Sequence, residues 1–156
     1  MTSPTTSTTT STGTEHPHVT ATRTAFLAAQ QGDVGPFDAM LPTDFVMINH
    51  DNGVPAHLHV IDGKDAFFAF YGQWLTFFGG TFRQDLEAIY GDDERVVMLV
   101  HETGRVGDAV FDNLAVYLIA MRDGRWAQLD TFDRDREAND RFWAAVGGPE
   151  ALAAID

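Results

Sequence analysis

The hydrophobic pattern of this chain changes period part-way along its length. Thr20 to Gln31 reads as a short helix with Phe26 and Leu27 on its apolar side, and Gly32-Asp33 breaks it. Val34 to Leu41 predicts a second short helix, ended by Pro42. From Asp44 to His50 the period falls to two, with Phe45, Met47 and Asn49 alternating against Val46, Ile48 and His50 as in a strand. Asp51 to Pro55 predicts a turn, and the segment to Ile61 a loop carrying His57 and His59. Asp62 is placed to cap a helix from Gly63 to Phe78, with Asp65 at N3 and Gly79-Gly80 ending it. Four strands follow, Thr81–Tyr90, Arg95–Thr103, Ala109–Arg122 and Arg125–Phe132, separated by turn-competent Gly/Asp clusters. A last helix runs from Asp135 to Val146 with Phe142, Trp143 and Val146 as its apolar stripe.

Helices, a strand, a helix and a four-strand meander make an α+β domain. Tight connections favour a curved antiparallel sheet with helices on one face, an arrangement able to enclose an apolar pocket. Residues 20–148 form the expected domain. Residues 1–19, rich in Ser and Thr, are expected to be a disordered leader, because they bury too little to offset their ordering entropy. Residues 149–156 are expected to be a short tail. The leader lacks the basic start and apolar run of a secretory signal.

Charge and composition narrow the function. A formal charge of -13 excludes the Lys/Arg surface that phosphate contacts need, and suits an anionic membrane poorly. No uncharged apolar run is long enough to span a bilayer. With no cysteine, disulfide and thiolate chemistry are excluded; a cytoplasmic location is the expectation. Twelve Phe and three Trp supply either a substantial core or an aromatic-lined hollow.

Candidate chemistry concentrates in the strands. In the run Trp126 to Asp133, Asp130 and Asp133 point to opposite faces of a regular strand, so at most one enters a pocket while the other stays wet or caps the next helix. Asp130 is the first candidate for a general acid/base, its pKa raised by apolar surroundings; the alternative is a strand-end aspartate bonded to backbone or arginine. His101 shares a face with Val97, Leu99 and Thr103, and if that face is inward it can meet Asp130; otherwise it is a satisfied core histidine. His50 either orients a ligand carbonyl, supplies the second half of an acid/base pair, or bonds the adjacent turn, and Asp51 is a turn residue. His57 and His59 have the spacing of a chelating pair on a strand, but no HExxH pattern or third ligand accompanies them, so no metal is expected. Tyr71 and Trp74 share a helix face and are candidate ligand contacts, with Tyr117, Asn113 and Trp126 beside them; Asp112 is a further possibility. Gly104 to Asp108 joins two strands and lacks the lysine of a phosphate loop, and no serine elbow or dinucleotide fingerprint occurs. No cofactor is implied.

Several of these segments, in this order and spacing, resemble the NTF2-like α+β cone superfamily and, within it, the SnoaL-like proteins. They are Phe26 to Asp33, Asp44-Phe45-Val46, Ile61 to Asp65, Asp93 to Val97, the Asp123-Gly124-Arg125 turn, and Leu129 to Asp133 with Phe142-Trp143. The resemblance implies a cone-shaped fold and a homodimer. Its functions span polyketide cyclases, epoxide hydrolases, dehydratases, ketosteroid isomerases and binding proteins. In limonene epoxide hydrolase-like relatives an Asp, Arg, Asp set opens the epoxide, and the last-strand aspartate maps onto Asp130. The Arg and its partner Asp fall near His101 and Thr103, which do not match. The expectation is a cofactor-independent acid/base enzyme acting on an apolar, oxygenated small molecule, such as a polyketide-like intermediate of natural-product biosynthesis. Asp130 would exchange the proton, His101 partner it, and His50 or Tyr71 bond the substrate. The alternative is a non-catalytic binding or accessory protein of the same fold.

Overall fold

Period-two segments from both halves of the chain join one six-stranded sheet. The computed structural model describes residues 13–50 and 53–154; most of the Ser/Thr-rich leader, together with Asp51, lies outside them. Helix α1 spans Pro17–Gln30, starting ahead of the expected Thr20 with a proline in its first turn and the His16 ring accepting from the His18 N–H at 3.2 Å. Helix α2 is Gly35–Met40 and strand β1 is Val46–His50. The expected loop before Ile61 instead contains one 3₁₀ turn, Ala56–Leu58, and a short strand β2, Val60–Asp62. Asp62 therefore belongs to a strand, and α3, Lys64–Phe77, starts after Gly63, whose φ of 96° favours glycine. Strands β3 (Arg83–Gly91), β4 (Arg95–Val106), β5 (Ala109–Arg122) and β6 (Arg125–Asp133) form the meander. Helix α4, Arg136–Ala145, is capped by the Asp135 carboxylate, which accepts from the Ala138 N–H at 2.9 Å. In the C-terminal segment, Leu152 is fully buried.

The sheet order is β2-β1-β6-β5-β4-β3, antiparallel except for the parallel β1–β6 pair. That pair sets Met47 beside Leu129 and Asn49 beside Thr131. The sheet's inner face carries Val96, Met98 and Val100 from β4 and Phe111, Ala115 and Ile119 from β5, all buried. Residues from α1, α2 and α3, among them Phe26, Phe37 and Phe67, are buried in the same core.

One local irregularity decides the polarity of β6. Met121 pairs with Trp126, but Ala120 pairs with Gln128, so Ala127 is an extra residue on that strand. The bulge places Trp126 and Leu129 both on the inner face although they are three apart, and both are almost fully buried. Every residue beyond it has the opposite parity from an unbroken strand counted from Trp126.

Candidate functional site

The aromatic content leaves a hollow between helices and sheet. A cavity of about 80 Å³ lies there. Phe67, Phe70, Tyr71 and Trp74 recur at helical spacing and line it from α3; Phe26 and Phe37 line it from α1 and α2, and Phe111, Tyr117 and Trp126 from the sheet. Several rings meet edge to face, including Phe37–Trp126 with centroids 5.2 Å apart and Trp74–Phe111 at 5.9 Å.

One wall is polar. Gln84 on β3, Glu102 on β4, Tyr117 on β5 and Asp133 on β6 line the cavity together with Tyr71 from α3. Tyr117 donates its hydroxyl to Glu102, and Gln84 Nε2 lies 3.1 Å from the same carboxylate oxygen and 2.7 Å from Tyr117 Oη. Tyr71 donates to Gln84 Oε1 at 3.2 Å. Behind this wall the Asn113 amide N–H₂ bridges the two carboxyl groups, reaching Glu102 at 3.2 Å and Asp133 at 2.8 Å. Asn139 of α4 donates to the other Asp133 oxygen.

Burial controls the protonation of this wall. Loss of solvation raises Glu102, against hydrogen bonds from Tyr117, Gln84 and Asn113 that favour its charged form. Desolvation, with Glu102 nearby, raises Asp133 to about 6. Tyr117 is raised well above its usual value by desolvation and by Glu102, and Tyr71 by desolvation first. Near neutrality Asp133 can therefore both hold and release a proton, the property a general acid/base needs.

Four of the ligand-contact residues expected from sequence, Tyr71, Trp74, Tyr117 and Trp126, line this cavity. Asn113 sits behind it, between the two carboxyl groups. Trp126 Nε1 donates to Thr22 at 3.1 Å, so its N–H is already bonded within the core and only the ring faces the cavity. The three residues expected to transfer protons lie elsewhere. Asp130 does not line the cavity, because the bulge at Ala127 turns it to the outer face, where it meets His50 at 2.7 Å and Gln128 at 2.8 Å. His101 occupies that outer face as well, since the buried alternation on β4 is Val96, Met98, Val100 and Glu102. It bonds Asp112 at 2.7 Å, which raises its pKa, and does not pair with Asp130. His50 stacks on Phe132 at 4.4 Å. His59 bonds the Val54 carbonyl at 3.2 Å. Among the described residues no group of three or more His, Asp or Glu side chains is arranged to hold a metal.

Residues 22–129 match the SnoaL-like domain family, which is more than half of the chain. The chain belongs to the SnoaL-like family. Solved structures similar to this SnoaL-like chain agree on the fold. Bal32a, from a soil-derived mobile gene cassette, is 23% identical with a TM-score of 0.72, over 81% of this chain and 95% of that one. An NTF2-like protein of Burkholderia pseudomallei is 19% identical with a TM-score of 0.68, over 80% and 95% of the two chains. A protein from Jannaschia sp. CCS1, described as a candidate SnoaL-like polyketide cyclase, is 18% identical with a TM-score of 0.61, over 92% and 99%. No curated protein matches the chain. The SnoaL-like fold is consistent with the cyclases and isomerases of this family and with a small apolar ligand, and no helix among the described residues is long and apolar enough to cross a membrane.

Proposed function

We propose that the chain is a cofactor-independent acid/base enzyme that moves a proton on an apolar, oxygenated small molecule held in the aromatic cavity, in a cyclisation, isomerisation, dehydration or hydration. The observation that carries this reading is Asp133, a carboxyl group on the cavity wall with a pKa near 6. Asp133 accepts the proton from carbon when ionised and returns it at a second position. Glu102, whose neutral form burial favours, and Tyr71 give hydrogen bonds to the substrate oxygen as charge develops on it. The rings exclude water, which strengthens each of these contacts. The description of the Jannaschia protein favours a polyketide-like intermediate.

The test needs no natural substrate. In D₂O, the protein is expected to speed deuterium wash-in at the α-carbon of ketones graded in size from acetone to cyclohexenone, by roughly 100-fold or more over buffer. The rate should rise as Asp133 ionises and level off above pH 6, so that at pH 5 it falls to about a tenth of its plateau. NMR detection at each pH reads both results; no acceleration with any ketone would sink the proposal. The outer-face pair His50–Asp130, joined at 2.7 Å, supports a second proton-transfer site. If that pair were the reacting one, Asp130→Asn would stop the exchange and Asp133→Asn would not.

We also propose that the outer face of the sheet pairs with a second copy. Val46, Ile48, Leu99, Val116 and Leu118 are only half-buried there, and Phe132 is 39% exposed. An apolar sheet face of this extent favours coverage. Val116 sits in register between Leu99 and Phe132 at its middle. Val116→Glu is expected to convert a dimer into a folded monomer, read by sedimentation with circular dichroism; a wild-type monomer would rule the pairing out.

A further inference from the structure

The cavity holds acid without base. Among the described residues no lysine, arginine or histidine lines it, while Glu102 and Asp133 both do. Buried carboxyl groups are ordinarily compensated by a cation or by enough donors. Here the network is short of donors: Asn113 spends its N–H₂ on both carboxyl groups, and its own side-chain oxygen, buried beside them, has no hydrogen-bond partner. The remaining wall is mostly apolar, and ten aromatic residues in all line the space. Aromatic faces and carboxylates attract the same kind of group, a desolvated organic cation. The whole chain adds to this, since 23 acidic against 10 basic side chains draw cations and repel anions at long range.

We propose that the ligand carries a protonated amine on a small apolar frame, its N–H groups directed to Glu102 and Asp133 and its carbon skeleton against the rings. The inference rests on the cavity being the ligand site of the proposed enzyme and names the charge of its substrate. The ammonium group supplies the positive charge and the donors that the wall lacks. Its arrival also favours the ionised form of Asp133, the state that accepts a proton from carbon. The titratable groups facing Asp133 are Glu102 from β4 and Tyr117 from β5, with the neutral amides of Asn113 and Asn139 beside it, while Tyr71 from α3 faces Glu102. No partner among these is cationic; His101, which does favour ionised Glu102, lies across the sheet.

The probes are two matched sets of different size: isobutylamine, isobutanol and isobutyrate, and benzylamine, benzyl alcohol and benzoate. Calorimetric titration of the full chain at pH 7.5 is expected to rank amine above alcohol by about tenfold or more in at least one set, with no binding of either acid. Amine affinity should fall about fivefold between pH 6 and pH 5, with proton release on binding, while alcohol affinity stays level. In Asp133→Asn, and separately in Glu102→Gln, the preference for amine over alcohol should shrink several-fold. Alcohols binding as well as amines, or acids binding at all, would overturn the inference and leave the enzyme reading standing. No binding by any of the six probes would remove both, because the cavity would then not be a ligand site.

Discussion

Replacing Asp133 by asparagine is expected to lower deuterium wash-in by about 10²- to 10⁴-fold, the range general acid–base groups supply. The exchange of one oxygen for an N–H₂ removes the only ionisable atom while the side chain keeps its volume. Glu102→Gln should cost far less, about tenfold or below, because burial favours the neutral form of Glu102 and an amide reproduces that form. A structural fault would hit both variants alike, so their difference is the informative quantity. Stability offers a second check on the same group. Burial raises Asp133 from 3.8 to about 6, so between these values the folded chain keeps a proton that the unfolded chain releases. Stability therefore falls as pH rises from about 4 to about 6, by on the order of 2 kcal/mol for this residue, and Glu102 adds to the fall with the same sign. Denaturation of Asp133→Asn across that interval should show a shallower slope.

The largest effect on folding is expected from Trp126→Ala. Trp126 is 1% exposed, meets Phe37 edge to face, and donates its indole N–H to Thr22, itself fully buried on α1. Truncation deletes the ring, opens a void between sheet and helices, and leaves the Thr22 hydroxyl without its donor. Losses of about 3–5 kcal/mol are typical of such sites, or roughly 10 °C in Tm for a domain of this size. Trp126→Phe, which fills most of the void and lacks only the donor, should lose about 1–2 kcal/mol. Urea titration of the two variants separates packing from hydrogen bonding.

Element types were legible because the period changed sharply: helical spacing through Phe67, Phe70, Tyr71 and Trp74, then alternation through β4 and β5. The short β2 escaped, since three residues cannot display a period. The site was legible in half. Tyr71, Trp74, Tyr117 and Trp126 declared themselves as aromatic positions within patterned elements, whereas Glu102 and Asp133 did not, because a charged side chain on a strand is ordinarily assigned to water. On β4 both faces are apolar, so alternation alone could not say whether Val96 or Val97 looks inward. A signal was nevertheless present. The two-residue turn Gly107-Asp108 sets Val106 opposite Ala109, and counting back from it puts Glu102 opposite Asn113 and Met98 opposite Tyr117. An inward Tyr117 thus requires an inward Glu102 and an outward His101. On β6 the same count from Asp123-Gly124 goes wrong after Met121, because nothing in Trp126-Ala127-Gln128 marks the extra residue. The resemblance maps the last-strand aspartate onto Asp130, and nothing in the pattern corrects that in favour of Asp133.

The bulge at Ala127 acts on this strand as a reading frame acts on a message. With it, the chamber receives Leu129, Thr131 and Asp133; an unbroken strand counted from Trp126 would deliver Gln128, Asp130 and Phe132 to the same places. Smoothing the bulge with no residue lost, the ladder kept from Trp126, would exchange one buried carboxylate for another and bring an amide and a ring in with it, whereas deleting Ala127 would leave Leu129, Thr131 and Asp133 inward. In a lineage of such domains, gain or loss of the bulge at constant strand length is therefore a route to new chemistry that leaves every side chain's identity unchanged. Comparison of last-strand aspartates between relatives must count the bulge before it assigns them the same task.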